Sequence, residues 1–105
     1  LIYKRPQMLH LLKACRNGEV DCIAAQTKAY LAANSEEFCY LLKFLSEMPG
    51  LIELVTEDEK YHINTIMNPE QQKEALEKMA DDYVKLDEAK YKKWKEKILQ
   101  GIQEL

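Results

Sequence analysis

The sequence contains few of the residues from which tight turns are built. Three glycines and three prolines in 105 residues leave little turn material for a many-stranded sheet. No apolar run approaches the roughly 20 residues of a membrane span, and no signal peptide is visible at the amino terminus. These absences favour an all-α domain of a larger intracellular protein, located in the cytoplasm.

The motifs of several enzyme classes are also missing. The chain has no glycine-rich phosphate loop, no GKS or GKT and no GxSxG. Its two histidines and three cysteines lack the CxxC and HxxxH spacings of zinc sites. Glu59 and His62 would share one helical face, as in half of a di-metal site, but Gln7 stands where a second such pair would need a glutamate before His10. We therefore expect no enzyme, cofactor or metal.

A small thiol- or metal-dependent enzyme is the remotest alternative, since it needs Cys–His or Glu–His pairs that meet only in space. The three cysteines, Cys15, Cys22 and Cys39, lie within apolar helical periodicity. That placement is typical of small buried hydrophobes in a reducing compartment. A Cys15–Cys22 disulfide is geometrically feasible across a turn at Gly18, but nothing in the sequence requires it.

Charge is distributed unevenly along the chain. The net charge is −3, made of +3 over residues 1–34, −6 over residues 53–84 and +2 over residues 85–105, with the remaining −2 between the first two ranges. The middle of the chain therefore repels polyanions. A pI near 5.4 does not suit a dedicated nucleic-acid binder.

The first helix is predicted at about 6–17, after an extended lead-in over residues 1–5. Pro6 suits the first turn of a helix, where the missing N–H group is not needed. Gly18 follows the last turn, where a left-handed residue commonly ends a helix.

Two further helices are predicted at about 19–33 and 36–48. The third begins after an N-cap at Ser35 and is apolar over more than half of its circumference. A helix of this kind must pack on more than one side, so we expect it to be central. The apolar stripe of the second helix consists of Val20, Ile23, Ala24, Thr27 and Leu31.

The second half of the chain predicts a helix at about 51–67, with a capping box from Thr56 to Glu59. Pro69 then begins a long C-terminal helix. Its apolar seam changes phase near Asp87, which indicates a kink there and divides it into helices of about 69–86 and 87–104. The predicted fold is a single domain over residues 1–105, a compact all-α bundle of five to six helices.

The stretch KYKKWKEKIL, residues 90–99, is the most function-like in the chain. On a helical wheel its aromatic and aliphatic side chains continue into one narrow arc, and its lysines flank both sides of that arc. The arc consists of Tyr91, Trp94, Ile98, Ile102 and Leu105, together with Val84. The lysines are Lys85, Lys90, Lys92, Lys93, Lys95 and Lys97.

This pattern favours a protein–protein interaction domain with an adaptor, regulatory or assembly role. The arc is the candidate interface, for a protein partner or for self-association. The alternative is binding of nucleic acid or an anionic membrane through the six lysines, which would require exposed aromatics for base stacking. Burial of Tyr91 and Trp94 distinguishes the two hypotheses.

Overall fold

The computed structural model describes residues 1–50, 52–57, 60–63, 69–80 and 84–105, and in these ranges it contains four α-helices and a three-stranded sheet. The predicted all-α bundle of five to six helices is therefore wrong. The elements, in chain order, are α1 (Pro6–Arg16), β1 (Cys22–Ala24), α2 (Ser35–Ser46), β2 (Ile52–Val55), β3 (Lys60–Ile63), α3 (Pro69–Ala80) and α4 (Glu88–Gln103). Two single 3₁₀ turns cover Ile2–Lys4 and Lys28–Tyr30.

The sheet replaces the helices that were predicted at 19–33 and 51–67. Strand β2 is central, pairing in parallel with β1 and antiparallel with β3, so that Leu54 lies between Ile23 and Tyr61. Buried and half-buried residues alternate along β2, and in β1 only Ile23 is buried. A burial period of two residues is typical of a strand. The apolar residues of these segments also fit a helical spacing approximately, which is why helices were predicted here. Of the predicted capping box, Thr56 is buried and Glu59 lies outside the described residues.

Helices α1 and α2 follow the prediction closely. Pro6 begins α1, and Gly18 after its end has φ +75°. Helix α2 is buried on nearly all sides, which confirms it as the central helix. Its N-cap is Asn34 rather than Ser35, because the Asn34 side chain accepts a hydrogen bond from the backbone N–H of Glu37 at 2.8 Å.

The C-terminal part forms two separate helices and not one long kinked helix. Residues 84–87 are not helical. The Asp87 carboxylate accepts a hydrogen bond from the backbone N–H of Lys90 and begins α4 as a new N-cap. Helix α4 packs along α1 so closely at Gly101 that an added Cβ would lie 2.9 Å from Leu9.

One apolar core joins α1, α2, α4 and the inner face of the sheet, with Leu76 and Ala80 of α3 packed against α2. Cys15 and Cys39 are buried in this core, whereas Cys22 is exposed, and all three thiols are free. The disulfide between Cys15 and Cys22 is therefore not formed. Within the described ranges, no helix combines the length and apolar character needed to cross a membrane.

Candidate functional site

The apolar arc of α4 faces the protein's own core. Tyr91, Trp94, Ile98 and Ile102 are buried, with Trp94 only 6% exposed, while Leu105 at the end of the arc is 42% exposed. Both aromatics of the arc therefore lie inside the protein. Apart from Leu105, the predicted interface residues are therefore covered by the chain itself.

The two aromatics of α4 pack against two aromatics of α2. The centre of the Trp94 ring lies 5.8 Å from the centre of the Tyr40 ring and 6.0 Å from that of the Phe44 ring, and the Phe44 ring meets Trp94 edge-on. The centre of the Tyr91 ring lies 5.9 Å from that of Tyr40 and 6.1 Å from that of Trp94. Tilted, edge-on and stacked pairs such as these are favourable beyond the area that they bury. This aromatic cluster therefore fixes α4 against the central helix.

A buried carboxylate stands beside the aromatic cluster. The Glu37 side chain, 3% exposed, accepts hydrogen bonds from the backbone N–H of Ile2 at 3.1 Å and of Ala33 at 2.9 Å. It also accepts one from the indole N–H of Trp94 at 2.9 Å. A buried charge is tolerated when it is fully hydrogen-bonded. Glu37 thus joins the N-terminal segment, the start of α2 and α4.

Two phenols of the cluster are hydrogen-bonded to carboxylates at its rim. The Tyr91 hydroxyl donates to Glu47, and the Tyr40 hydroxyl donates to Glu36. Burial first, and then these hydrogen bonds, raise the pKa of both Tyr91 and Tyr40. Both phenols therefore keep their protons at neutral pH and act as structural donors.

Three of the six lysines predicted to contact a polyanion are engaged by the chain itself. Lys95 donates to Glu47, Lys90 lies 3.9 Å from a carboxylate oxygen of Glu36, and the Lys97 ammonium lies 4.9 Å from the centre of the Tyr3 ring. Lys85, Lys92 and Lys93 are exposed. The lysines therefore surround the buried arc on both sides, and the aromatics needed for base stacking are inside.

The residues considered for metal chemistry form no metal-binding cluster in the described part of the chain, where no group of three or more potential ligands could hold a metal ion. His10 is exposed, while Glu59 and the side chain of His62 lie outside the described residues. Burial raises the pKa of Cys15, and it raises that of Cys39 to about 11, so both thiols are protonated at neutral pH.

A different surface carries the most exposed of the described aromatic side chains. Tyr30 is 61% exposed. The backbone that carries it is fixed, because the Arg5 guanidinium donates to the carbonyls of Tyr30 at 2.7 Å and Leu31 at 3.2 Å. The N–H of Ala33 is held in turn by Glu37. Tyr30 is therefore presented to solvent from a segment whose backbone is hydrogen-bonded to Arg5 and Glu37.

An open cavity of about 240 Å³ is lined by residues that precede and follow Tyr30 in the chain, although not by Tyr30 itself. Phe38 and Ala32 are buried at its base, and Ala29 and Ala33 lie at its exposed rim. The Lys28 ammonium closes one side, 5.4 Å from the centre of the Phe38 ring and hydrogen-bonded to the carbonyl of Ala80. We call Tyr30, Ala29, Ala33 and this cavity the Tyr30 surface.

The comparisons with known proteins found no match among family models, curated proteins or solved structures. The geometry of the Tyr30 surface is therefore the basis for a functional proposal. The sequence prediction missed this surface because it placed residues 19–33 in one helix and gave Tyr30 no role. A usable signal was present, since Tyr30 is a large aromatic residue that does not belong to the apolar stripe of that predicted helix.

Proposed function

We propose that this chain is a protein-recognition domain and that the Tyr30 surface is where its partner binds. The observation that carries the proposal is an exposed aromatic side chain on a backbone fixed by Arg5. Tyrosine is enriched among interface residues that dominate binding energy. A backbone that is already ordered reduces the entropy lost on binding.

The chemistry of the Tyr30 surface suggests the kind of segment that it recognises. The methyl groups of Ala29 and Ala33 and the ring of Phe38 offer an apolar cavity, which suits one apolar side chain of a partner. Residues 1–34 carry a net charge of +3, and Lys28 lines the cavity. A partner segment with an apolar side chain flanked by acidic residues fits both features.

The interface proposed from the sequence, the arc on α4, plays a different part in this proposal. Four of its five residues are buried in the core, and one of them, Trp94, packs on α2 and donates its indole N–H to Glu37. Glu37 in turn holds Ala33 at the rim of the cavity. The arc therefore supports the Tyr30 surface from within, without touching the partner.

Site-specific photocrosslinking tests the proposal. A photoreactive phenylalanine analogue replaces Tyr30 in one variant and Lys92, which is exposed on α4, in a control variant, both expressed in the cells that make the protein. We expect a protein crosslinked from position 30 and not from position 92. With that protein purified, Tyr30→Ala should weaken binding by about 30-fold, the equivalent of about 2 kcal/mol, while Lys92→Ala leaves the affinity unchanged. Equal affinity of Tyr30→Ala and the unsubstituted protein would overturn the proposal.

A further inference from the structure

Strand β1 lies at an edge of the sheet. Its hydrogen bonds to β2 are made by alternate residues, since the carbonyl of Asp21 accepts from Glu53 at 2.8 Å and the N–H of Ala25 donates to Val55 at 2.9 Å. Ile23 stands between them, in register with Leu54. Backbone groups of successive strand residues point to opposite sides. Those of Cys22 and Ala24 therefore point away from β2.

The outer edge of β1 is accessible. Cys22 and Ala24 are both exposed, and within the described residues no backbone hydrogen bond runs from either of them to another segment. Proteins commonly protect such an edge with proline, with lysine or with a covering loop. The strand itself, Cys-Ile-Ala, has only small or apolar side chains. Two N–H groups and two carbonyls are thus available to another strand.

We propose that this edge pairs with β1 of a second copy of the chain, antiparallel and about a two-fold axis at Ile23. In this register Cys22 lies opposite Ala24 of the second copy, and each of these two residue pairs exchanges two hydrogen bonds. The two three-stranded sheets become one six-stranded sheet, and the interface is the same surface on both copies. This pairing goes beyond the proposed function, since it uses the strand edge and not the Tyr30 side chain.

The charges beside β1 favour a second copy in antiparallel orientation. Glu19 and Asp21, both exposed, precede the strand, and Lys28, also exposed, follows it in the chain. Antiparallel pairing places the acidic end of each strand near the basic end of the other. Parallel pairing would place like charges together, which is unfavourable. The protein's own edge is therefore its complementary partner.

Sedimentation velocity of the purified chain, at concentrations from about 10 µM to 1 mM, tests the association. We expect the mass to rise from 12.3 kDa towards twice that value, less steeply at high salt. Ala24→Pro removes an outward N–H group while leaving the hydrogen bonds to β2 intact, so it should stay monomeric. Cys22→Ser keeps the backbone unchanged and should still associate. A strict monomer, or equal association of Ala24→Pro, would overturn the proposal.

A crosslink tests the register and does not depend on how well the proline variant folds. In Ala24→Cys, the new thiol would lie opposite Cys22 of the second copy at a Cα separation of about 5.5 Å, which suits a disulfide. Mild oxidation should give a covalent dimer on a non-reducing gel. The double variant Cys22→Ser, Ala24→Cys should remain monomeric there, because Cys15 and Cys39 are buried. This register would be contradicted if Ala24→Cys gave no covalent dimer, or if the double variant gave as much covalent dimer as Ala24→Cys.

Discussion

Replacing Glu37 by alanine should remove a large part of the protein's stability. The substitution leaves three donors without their acceptor, namely the N–H groups of Ile2 and Ala33 and the indole of Trp94. A buried donor left unsatisfied costs roughly 1–3 kcal/mol, and removal of the buried charge offsets part of the total. We expect a loss of about 3–5 kcal/mol, compared with about 10 kcal/mol for a typical domain of this length.

Glu37→Gln separates hydrogen bonding from charge. The amide keeps one acceptor oxygen, so its NH₂ group must face either Ala33 or the pair formed by Ile2 and Trp94. At least one donor then meets another donor, and we expect a loss of about 1–3 kcal/mol. Glu36→Ala is the matched control, because Glu36 is the preceding carboxylate on α2 and its side chain is 47% exposed.

Urea unfolding at equilibrium provides the assay. The fluorescence of Trp94, the only tryptophan, reports the environment of Glu37 directly, and far-UV circular dichroism reports the helices. The free energy of unfolding should fall in the order unsubstituted protein, Glu36→Ala, Glu37→Gln, Glu37→Ala. A Glu37→Ala protein as stable as Glu36→Ala would refute the structural role assigned to this carboxylate.

Three further predictions concern pH, thiols and a turn. The pKa values of Tyr91 and Cys39 are higher in the folded protein than in the unfolded chain, so both groups stabilise the fold at any pH below their unfolded-state pKa. Stability should therefore fall above about pH 9 because of Cys39 and above about pH 10 because of Tyr91. Thermal melts across alkaline pH would show this. A thiol reagent at pH 8 should label Cys22 rapidly and the other two cysteines only after unfolding. Equally fast labelling of all three thiols would contradict the burial of Cys15 and Cys39. Gly18→Ala should cost about 1–2 kcal/mol in urea unfolding because of its φ of +75°, whereas Gly50→Ala, with open space around its Cα, should cost less than half as much.

The helices that the sequence predicted well are those with local signals. Pro6 and Gly18 delimit α1, and Asp87 begins α4, each through an interaction within a few residues. The interior of α2 was recognisable because its apolar residues cover most of the circumference. These features depend on neighbours in the chain and are therefore visible without the tertiary structure.

The strands were missed because their stability depends on distant residues. Strand β1 has only three residues, and Ile23 is in register with Leu54 far along the chain. Its apolar residues also fit a helical stripe, so periodicity over so short a segment could not decide between the two. Pairing with β2 decides the conformation, and that partner cannot be read from the segment itself.

The residues of the candidate site were missed for the same reason as the strands, because their roles depend on distant segments. Glu37 looks in the sequence like an exposed acid in the first turn of a helix, where the helix dipole favours it. Its burial results from Ile2 and Trp94, which come from the two ends of the chain. Tyr30 fell within the helix predicted at 19–33, and the turn that carries it is instead held by hydrogen bonds from Arg5. Both roles arise from contacts between segments that are distant in the sequence.

The Glu37 carboxylate joins the beginning of the chain to its last helix, and this order matters during synthesis on the ribosome. Ile2 and Glu37 emerge early, whereas Trp94 emerges last of the three. Until α4 has left the exit tunnel, the carboxylate lacks its indole donor and Tyr40 and Phe44 lack their aromatic cover. A nascent chain halted before residue 88 therefore exposes the central helix to chaperones, and native folding is completed only when translation has passed α4.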